Sequence, residues 1–312
     1  MLTRRHIRAK VMQALYALKQ DIDLNSGAVK KFLDRSMNDM YDLFLLDISL
    51  LLSVKDQAEE FFEKSKKKYL PTQEDIHPNL KFINNALLKK IEECQAFADL
   101  LDKKKLNDWQ IESSYTQLLW EELRNSQLYK TYTASEKTTF KEDRDFVVRF
   151  YKEIIAPNEK LHDYFEDKKL TWMDDMAIIN TTLIKLLNKQ QKGQAFFLPS
   201  LFKNTDDREF AFNLYNRTLN YNHDFEEEIS KMTPNWDQDR LAEIDMILIK
   251  MALCEFTYFP SIPIKVTINE YIEIAKDYST PKSNIFVNGV LDRISKVYQE
   301  EGKINKTGRG LL

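Results

Sequence analysis

Two pairs of side chains have the spacing of metal ligands. Glu74 with His77, and Glu159 with His162, follow the Glu-x-x-His pattern that supplies ligands to di-iron centres in helical bundles. The first pair lies in a short segment between two prolines, where a long inward-facing helix cannot form. The second pair directly follows a proline and lacks the two further glutamates that such a centre requires. The sequence therefore predicts no metal site and no cofactor.

Adjacent carboxylates, which could serve as a general acid and base, occur at Asp174-Asp175 and Asp206-Asp207. Both pairs stand at predicted helix starts, where acidic side chains cap the backbone and complement the helix dipole. Cys94 and Cys254 have no second Cys or His at ligand spacing, so we interpret both as buried apolar side chains. The sequence shows no Gly-rich phosphate loop or nucleophile elbow. We therefore expect no catalytic residues and no enzymatic activity.

A cluster of basic residues is the remaining candidate for a functional site. The first twenty residues include five basic side chains and no acidic one, namely Arg4, Arg5, Arg8, Lys10 and Lys19. The whole chain has 46 basic and 49 acidic residues and a formal net charge of -3, so affinity for a polyanion must come from such a local cluster. Arginines can neutralise phosphates and stack on unpaired bases. Residues 1–20 are therefore predicted to form a basic RNA-binding helix.

The elements that must position this cluster are predicted to be helices. Only 6 glycines and 8 prolines occur in 312 residues, which is typical of long elements with few turns. Apolar residues of the opening segment recur at helical spacing, at Ile7, Val11, Leu15 and Leu18. Thr3 is expected to cap this helix, and Arg4 and Arg8 to share a solvent-facing side. No apolar stretch approaches the roughly 20 residues of a membrane span, so we expect a cytoplasmic protein without membrane contact.

An internal repeat organises the second half of the chain. Residues 143–146 recur 64 positions later as residues 207–210 (207 − 143 = 64), and three further pairs keep this offset: Tyr151 with Tyr215, Asn158 with Asn222 and Trp172 with Trp236. Two copies of a three-helix unit explain the pattern. The expected segments are an enlarged helical region at 21–140, a first helical repeat at 141–206, a C-terminal bundle at 207–300 and a disordered tail at 301–312. A hinge is expected at 191–207.

Residues 262–268 require a choice between strand and helix. Their isoleucines and valine alternate as in a strand, but a single strand would have no partner in a helical chain. If Pro263 is the first helical residue, the apolar residues up to Ala275 share one face, which predicts a helix. A final helix follows and contains Gly289. Because glycine costs about 1 kcal/mol inside a helix, its presence suggests close approach by another backbone or a partner.

Two parts of the chain resemble the NusB family. Residues 4–16 (Arg-Arg-His-Ile-Arg-Ala-Lys-Val-Met-Gln-Ala-Leu-Tyr) resemble the family's arginine-rich opening helix. A more specific resemblance, in order and spacing, is carried by Ile249–Phe256, Ile262–Glu270, Ile274–Lys276 and Phe286–Asp292. Typical members are less than half as long, so the chain resembles an enlarged form. It departs from the family at His6, at Ala9 and in the turn from Lys282 to Ile285.

The resemblance implies an all-α, NusB-like protein that binds single-stranded boxA RNA of ribosomal RNA leaders together with the ribosomal protein NusE. The pair then acts in the RNA polymerase antitermination complex, which reads through terminators. The RNA-binding residues expected on this basis are Arg4, Arg5, Arg8, Lys10, Lys265, Lys276 and Lys282. The three lysines would extend the basic track if the last two helices pack beside the first. The residues expected in the core or at the partner interface are Tyr16, Tyr278, Phe286 and Asn288.

Two alternatives come from other classes of protein. The chain could be a protein-binding helical scaffold whose basic N-terminus is only a soluble helix end. It could also be an RNA-binding module related to the NusB-like domains that precede the catalytic domain of some ribosomal RNA cytosine methyltransferases. That second alternative requires a Gly-rich nucleotide loop and a nucleophilic cysteine downstream of the bundle. Titration with single-stranded RNA separates the scaffold from both RNA-binding interpretations.

Overall fold

The computed structural model describes residues 2–21, 23, 25–136, 139–233 and 242–311. Within these ranges the regular structure is helical and no strand occurs, which confirms the all-α prediction. Residues 264–278 form a helix rather than a strand, with Pro263 at the cap position one residue before it. The described part of the chain contains no helix that is long and apolar enough to cross a membrane.

The helices follow one another with short connections. In chain order they are α1 (Arg4–Gln20), α2 (Ser26–Lys66), α3 (Gln73–Ile76), α4 (Ala86–Glu92), α5 (Gln95–Lys104), α6 (Asp108–Ile111), α7 (Ser113–Asn125), α8 (Gln127–Ala134), α9 (Phe140–Phe150), α10 (Glu159–Lys168), α11 (Trp172–Lys189), α12 (Thr205–Asn220), α13 (Asn222–Met232), α14 (Glu243–Tyr258), α15 (Ile264–Tyr278) and α16 (Ser283–Glu300). A π-helix, Tyr151–Ile155, continues α9, and a 3-10 helix, Gly308–Leu311, ends the described chain.

Two compact units make up the fold. The bundle unit comprises residues 1–37 and 201–312, and the insert unit comprises residues 38–200. These units differ from the segments expected from the sequence, because helices group by the apolar faces that cover each other rather than by chain order. The opening helix joins the C-terminal bundle, whereas the first repeat joins the enlarged region. The boundary at residue 200 lies within the expected hinge.

Helix α14 is the centre of the bundle unit. Every residue from Ile247 to Phe256 is buried, so this helix is covered on all sides. It packs against α1, α12, α13, α15 and α16. Because α14 has no exposed face in this stretch, any functional surface of the bundle unit must come from the helices around it.

The repeat appears as two sets of three helices, α9–α11 in the insert unit and α12–α14 in the bundle unit. In each set the first aspartate of the repeat accepts a hydrogen bond from the first residue of another helix. Asp143 accepts the backbone N–H of Ala86 at 2.8 Å, and Asp207 accepts Nε of Arg4 at 3.1 Å. Tyr151 and its counterpart Tyr215 are fully buried. The repeat partner of Trp172, Trp236, lies outside the described residues.

The C-terminal tail is packed rather than disordered as expected for 301–312. The ammonium group of Lys306 donates to the carbonyls of Glu255 at 2.9 Å and Phe259 at 3.1 Å, at the end of α14. Gly310 lies so close to the carbonyl of Pro260 that an added Cβ would fall 1.9 Å from that oxygen. These two carbonyls also accept the backbone N–H groups of Phe259 and Ile262, so Lys306 adds a charged donor to hydrogen bonds that are already made. This contact and the close approach of Gly310 hold the tail on the end of α14.

Candidate nucleic-acid interface

The N-terminal cap of α1 fixes where its basic side chains begin. Oγ of Thr3 accepts the backbone N–H of His6 at 3.5 Å, and the backbone N–H of Thr3 donates to Nδ1 of His6 at 3.4 Å. The prediction that Thr3 caps the helix is confirmed. Burial, together with the nearby charge of Arg5, lowers the pKa of His6 to about 4. The imidazole is therefore neutral at pH 7 and is available as the acceptor in this capping box.

Helix α1 is enclosed by α12, α14 and α15. Its apolar stripe is buried as predicted, with Ile7 and Val11 fully covered. Burial also extends around the helix, because Arg8 is only 2% exposed and Lys10 only 4% exposed. The prediction that Arg8 shares a solvent-facing side with Arg4 is therefore wrong. Contact on three sides has placed a cation in the core.

Arg8 forms a buried ion pair with Glu255 of α14. Its Nε and Nη2 donate to the two carboxylate oxygens at 2.6 and 2.9 Å, so the pairing is bidentate. Tyr271 and Thr267 of α15 donate to the same carboxylate at 2.8 and 3.1 Å. Burial opposes the charged form, but the facing Glu255 carboxylate raises the pKa of Arg8 above its ordinary value. This network joins α1 to α14 and α15 and leaves the charge of Arg8 unavailable to solvent.

Arg4 and Arg5 are the accessible arginines of α1. Their side chains are 39% and 43% exposed. Arg4 pairs with Asp207 and lies over the ring of Phe210, with its guanidinium carbon 5.0 Å from the ring centroid. Arg5 makes a bidentate pair with Glu270 at 2.9 and 3.1 Å. Hydrogen bonding to Glu270 raises the pKa of Arg5. Both guanidinium groups are held at the surface in defined positions.

The lysines expected to extend the track lie on α15 and at the start of α16. Lys265 and Lys276 are exposed and three turns apart on α15, so they share one face. Lys276 pairs with Glu273 at 2.6 Å. Lys282 is exposed at the cap of α16. Helix α15 packs beside α1 as expected, but it turns acidic side chains towards Arg5, whose pKa is raised in part by Glu273 and Asp277.

The residues expected at a partner interface divide between core and surface. Phe286 is buried and Tyr278 is half-buried, whereas Tyr16 and Asn288 are exposed. Ile285 lies in the first turn of α16, and although it is apolar its side chain is 70% exposed. Apart from its chain neighbours and the nearby backbone of α16, no described atom lies within 4 Å of the point where a Cβ on Gly289 would stand. Thus Ile285, Asn288 and Gly289 form an open strip on α16 that no described part of the chain covers.

The residues with metal-ligand spacing are not brought together. Glu74 and His77 lie in and just after the one-turn helix α3, and Glu159 and His162 lie at the start of α10. A ring nitrogen of His162 is 2.8 Å from the carbonyl oxygen of Ala156. Among the described residues, no group of three or more His, Cys, Asp or Glu side chains could hold a metal ion.

Comparison with known proteins places these helices in a family. The model of the NusB family matches residues 181–296, from the second half of α11 into α16. A transcription antitermination protein NusB of Salinibacter ruber is 45% identical over 123 residues, which cover 39% of this chain and 77% of the relative. The NusB protein of Chloroherpeton thalassium is 42% identical over 34% of this chain and 50% of its own. The NusB protein of Dictyoglomus turgidum is 37% identical over 31% of this chain and 67% of its own.

The chain therefore belongs to the NusB family, in an enlarged form of which the family model covers only part. No solved structure matches it significantly. The matched residues do not include α1, which resembles the family's opening helix in sequence. In the structure α1 packs against α12, α14 and α15, three helices that lie within the match.

Proposed function

We propose that this protein is a non-enzymatic transcription antitermination factor that acts in the cytoplasm. It binds single-stranded, boxA-like RNA from ribosomal RNA operons and joins the RNA polymerase antitermination complex with the ribosomal protein NusE. The observation that carries the proposal is the pair Arg4 and Arg5, which are accessible on a helix seated on the family-matched bundle. The relatives named as antitermination proteins support the same role.

In this proposal the basic residues have two roles. Arg4 and Arg5 contact RNA phosphates directly, since their guanidinium groups are accessible and held by carboxylates. Arg8 fixes α1 against α14 and α15, so it positions the two arginines without touching RNA. Lys10 is also buried, so like Arg8 it has a structural role and does not contact RNA. The exposed Lys265, Lys276 and Lys282 provide weaker, longer-range attraction for the RNA backbone.

Replacing Arg4 and Arg5 together by alanine should weaken binding of single-stranded RNA and reduce its salt dependence. Each phosphate contact on a single strand contributes about 0.7 to the slope of log affinity against log salt, so two lost contacts should flatten that slope by about 1.4. Fluorescence anisotropy at several salt concentrations measures this change. The melting temperature should fall less than it would on loss of the buried Arg8, because both side chains are substantially exposed.

Two further variants sharpen that test. Arg149→Ala removes an exposed arginine of the insert unit that is also paired with a carboxylate, Glu153, and should leave the slope unchanged. Glu270→Gln removes the charge that competes with phosphate for Arg5 and should raise affinity. If the Arg4/Arg5 variant keeps the wild-type slope, the RNA path does not cross α1.

The open strip on α16 is the proposed NusE interface. Ile285 offers apolar area, Asn288 offers a polar group that can fix orientation, and Gly289 lets a partner approach the helix backbone. An exposed isoleucine beside an exposed glycine has no role in packing α16 against α14 and α15. Contact with a partner gives both residues a function.

Gly289→Arg should separate folding from partner binding. The glycine costs about 1 kcal/mol inside a helix and nothing described crowds its Cβ position, so arginine should preserve or raise the melting temperature. The same side chain would project into the partner, and NusE binding measured by calorimetry should fall at least tenfold. Lys296→Ala, on an exposed position of α16, is the control. NusE binding equal to wild type in Gly289→Arg would remove this strip from the interface.

A further inference from the structure

The first turns of α2 carry a cluster of cations that the family match does not include. Lys30, Lys31 and Arg35 are exposed, and Asp34 is the only acidic residue between positions 25 and 37. Lys31 and Arg35 are four residues apart and therefore neighbours on one face. Within the described part of the chain, neither of them has a carboxylate at ion-pair distance.

An aromatic side chain lies on the same exposed face. Phe32 is 38% exposed and stands three residues before Arg35, so its ring neighbours that cation. An exposed phenylalanine beside an exposed arginine has little reason to exist in a helix that only faces water. Such a grouping is suited to a flat, unpaired base with its phosphates.

Helix α12 adds to this face within the bundle unit. Arg208 pairs with Asp34 of α2 at 2.9 Å, which neutralises the one nearby carboxylate of that helix. Lys30 and Arg208 both lie over the ring of Phe212, with their charged groups 5.4 and 5.3 Å from its centroid. The preceding residue, Asp207, holds Arg4 of α1. The first turn of α12 therefore joins the cations of α1 to those of α2.

We propose that the exposed surface around the first turns of α2, made of Lys30, Lys31, Phe32 and Arg35 with Arg208 of α12, is a second contact for single-stranded RNA. Its cations bind phosphates and Phe32 stacks on a base, so recognition here tolerates different sequences. The site rests on the proposed function and extends it, because an RNA held by Arg4 and Arg5 would continue past α12 onto α2. Phosphates on this path pass Asp206 and Glu209 of α12, whose carboxylates repel them. The gain in RNA affinity therefore comes from the α2 cations and not from the path between the two sites.

RNA length provides the test. One RNA carries a 12-nucleotide boxA-like element, and a second carries the same element extended by eighteen uridines. The full-length protein should bind the longer RNA more tightly and with a steeper salt dependence. In Lys31→Ala/Arg35→Ala the slope for the longer RNA should fall by about 1.4, while affinity for the short RNA stays at the wild-type value. Phe32→Ala should reduce affinity for the longer RNA by about fivefold or more.

The control is Lys185→Ala/Lys189→Ala, which removes two exposed lysines at the same spacing on α11. It should change the affinity for neither RNA. Thermal melts of each variant show whether a loss reflects unfolding. If extension of the RNA adds nothing in the wild type, or if the α2 variants bind both RNAs like the wild type, the second contact is overturned. If the short RNA fails to bind while a uridine 30-mer still requires Lys31 and Arg35, the boxA proposal fails and the α2 contact stands.

Discussion

Arg8→Ala should destabilise the bundle unit by about 3–5 kcal/mol, although the same change at Arg5 should cost less than about 1 kcal/mol. The difference follows from what each arginine leaves behind. Loss of Arg8 leaves the fully buried carboxylate of Glu255 without its counter-ion, and an uncompensated buried charge is strongly unfavourable. Glu270, which is 20% exposed, loses Arg5 where water can replace it, whereas Asp207 is only 9% exposed, so loss of Arg4 should cost more than loss of Arg5 and less than loss of Arg8. Chemical denaturation followed by circular dichroism measures the change in the free energy of unfolding.

A double-mutant cycle attributes this cost to the pair. With Glu255→Gln already present, the fully buried carboxylate that faces Arg8 is gone, so the further cost of Arg8→Ala should shrink by about 2 kcal/mol or more. Hydrogen exchange should show faster opening of α1 in Arg8→Ala than in wild type, because the network joins that helix to α14 and α15. Equal costs for Arg8→Ala in both backgrounds would mean that Arg8 stabilises the fold only through packing of its alkyl chain.

The difference in burial between Arg8 and the other two arginines also affects how RNA-binding experiments are interpreted. Replacing Arg4, Arg5 and Arg8 together would weaken RNA binding through unfolding as well as through lost phosphate contacts. The sequence placed Arg8 on a solvent-facing side, where such a triple change would barely affect the core, and the burial of Arg8 contradicts that placement. The variant limited to Arg4 and Arg5 keeps the network intact and tests RNA contact alone.

The sequence revealed the helix that carries the basic residues but not which of them reach solvent. Helical spacing identified the stripe from Ile7 to Leu15 and the cap at Thr3, since both depend on neighbours along the chain. The partner of Arg8 is 247 residues away at Glu255, and a single sequence contains no local sign of that pairing. Contact of α1 with three other helices buried the face that periodicity assigned to water.

Other differences have the same origin. Glycine and lysine in the tail indicated disorder, but those residues dock on the end of α14 through Lys306 and Gly310, a contact that only the folded bundle offers. The repeat could be detected because its signature residues keep a fixed offset. The partners of each copy could not be detected in this way. The carboxylate of Asp143 accepts a backbone N–H at the start of α4, whereas the carboxylate of Asp207 accepts an arginine side chain.

The insert unit contains a buried carboxylic acid at Asp47 of α2. Its Oδ2 is 2.6 Å from the hydroxyl of Tyr151, and that hydroxyl is also 2.6 Å from Oδ1 of Asn180. A tyrosine has one hydroxyl proton and cannot donate to both oxygens. If Asp47 is protonated it donates to Tyr151, which then donates to Asn180, and every group is satisfied. Burial raises the pKa of Asp47 from 3.8 to about 7, in agreement with this arrangement.

Asp47→Asn should therefore stabilise the insert unit at pH 8 by about 2–4 kcal/mol and change it little at pH 4. The folded state retains a proton that the unfolded state releases between pH 4 and 7, so the stability gained from Asp47 is complete below pH 4 and is lost as pH rises through 7. Asparagine donates to Tyr151 at every pH. Tryptophan fluorescence during denaturation reports the unit, which contains Trp109, Trp120 and Trp172. The exposed control Asp99→Asn should shift stability by less than about 0.5 kcal/mol, and a difference for Asp47→Asn that does not vary with pH would show that Asp47 is ionised in the folded protein.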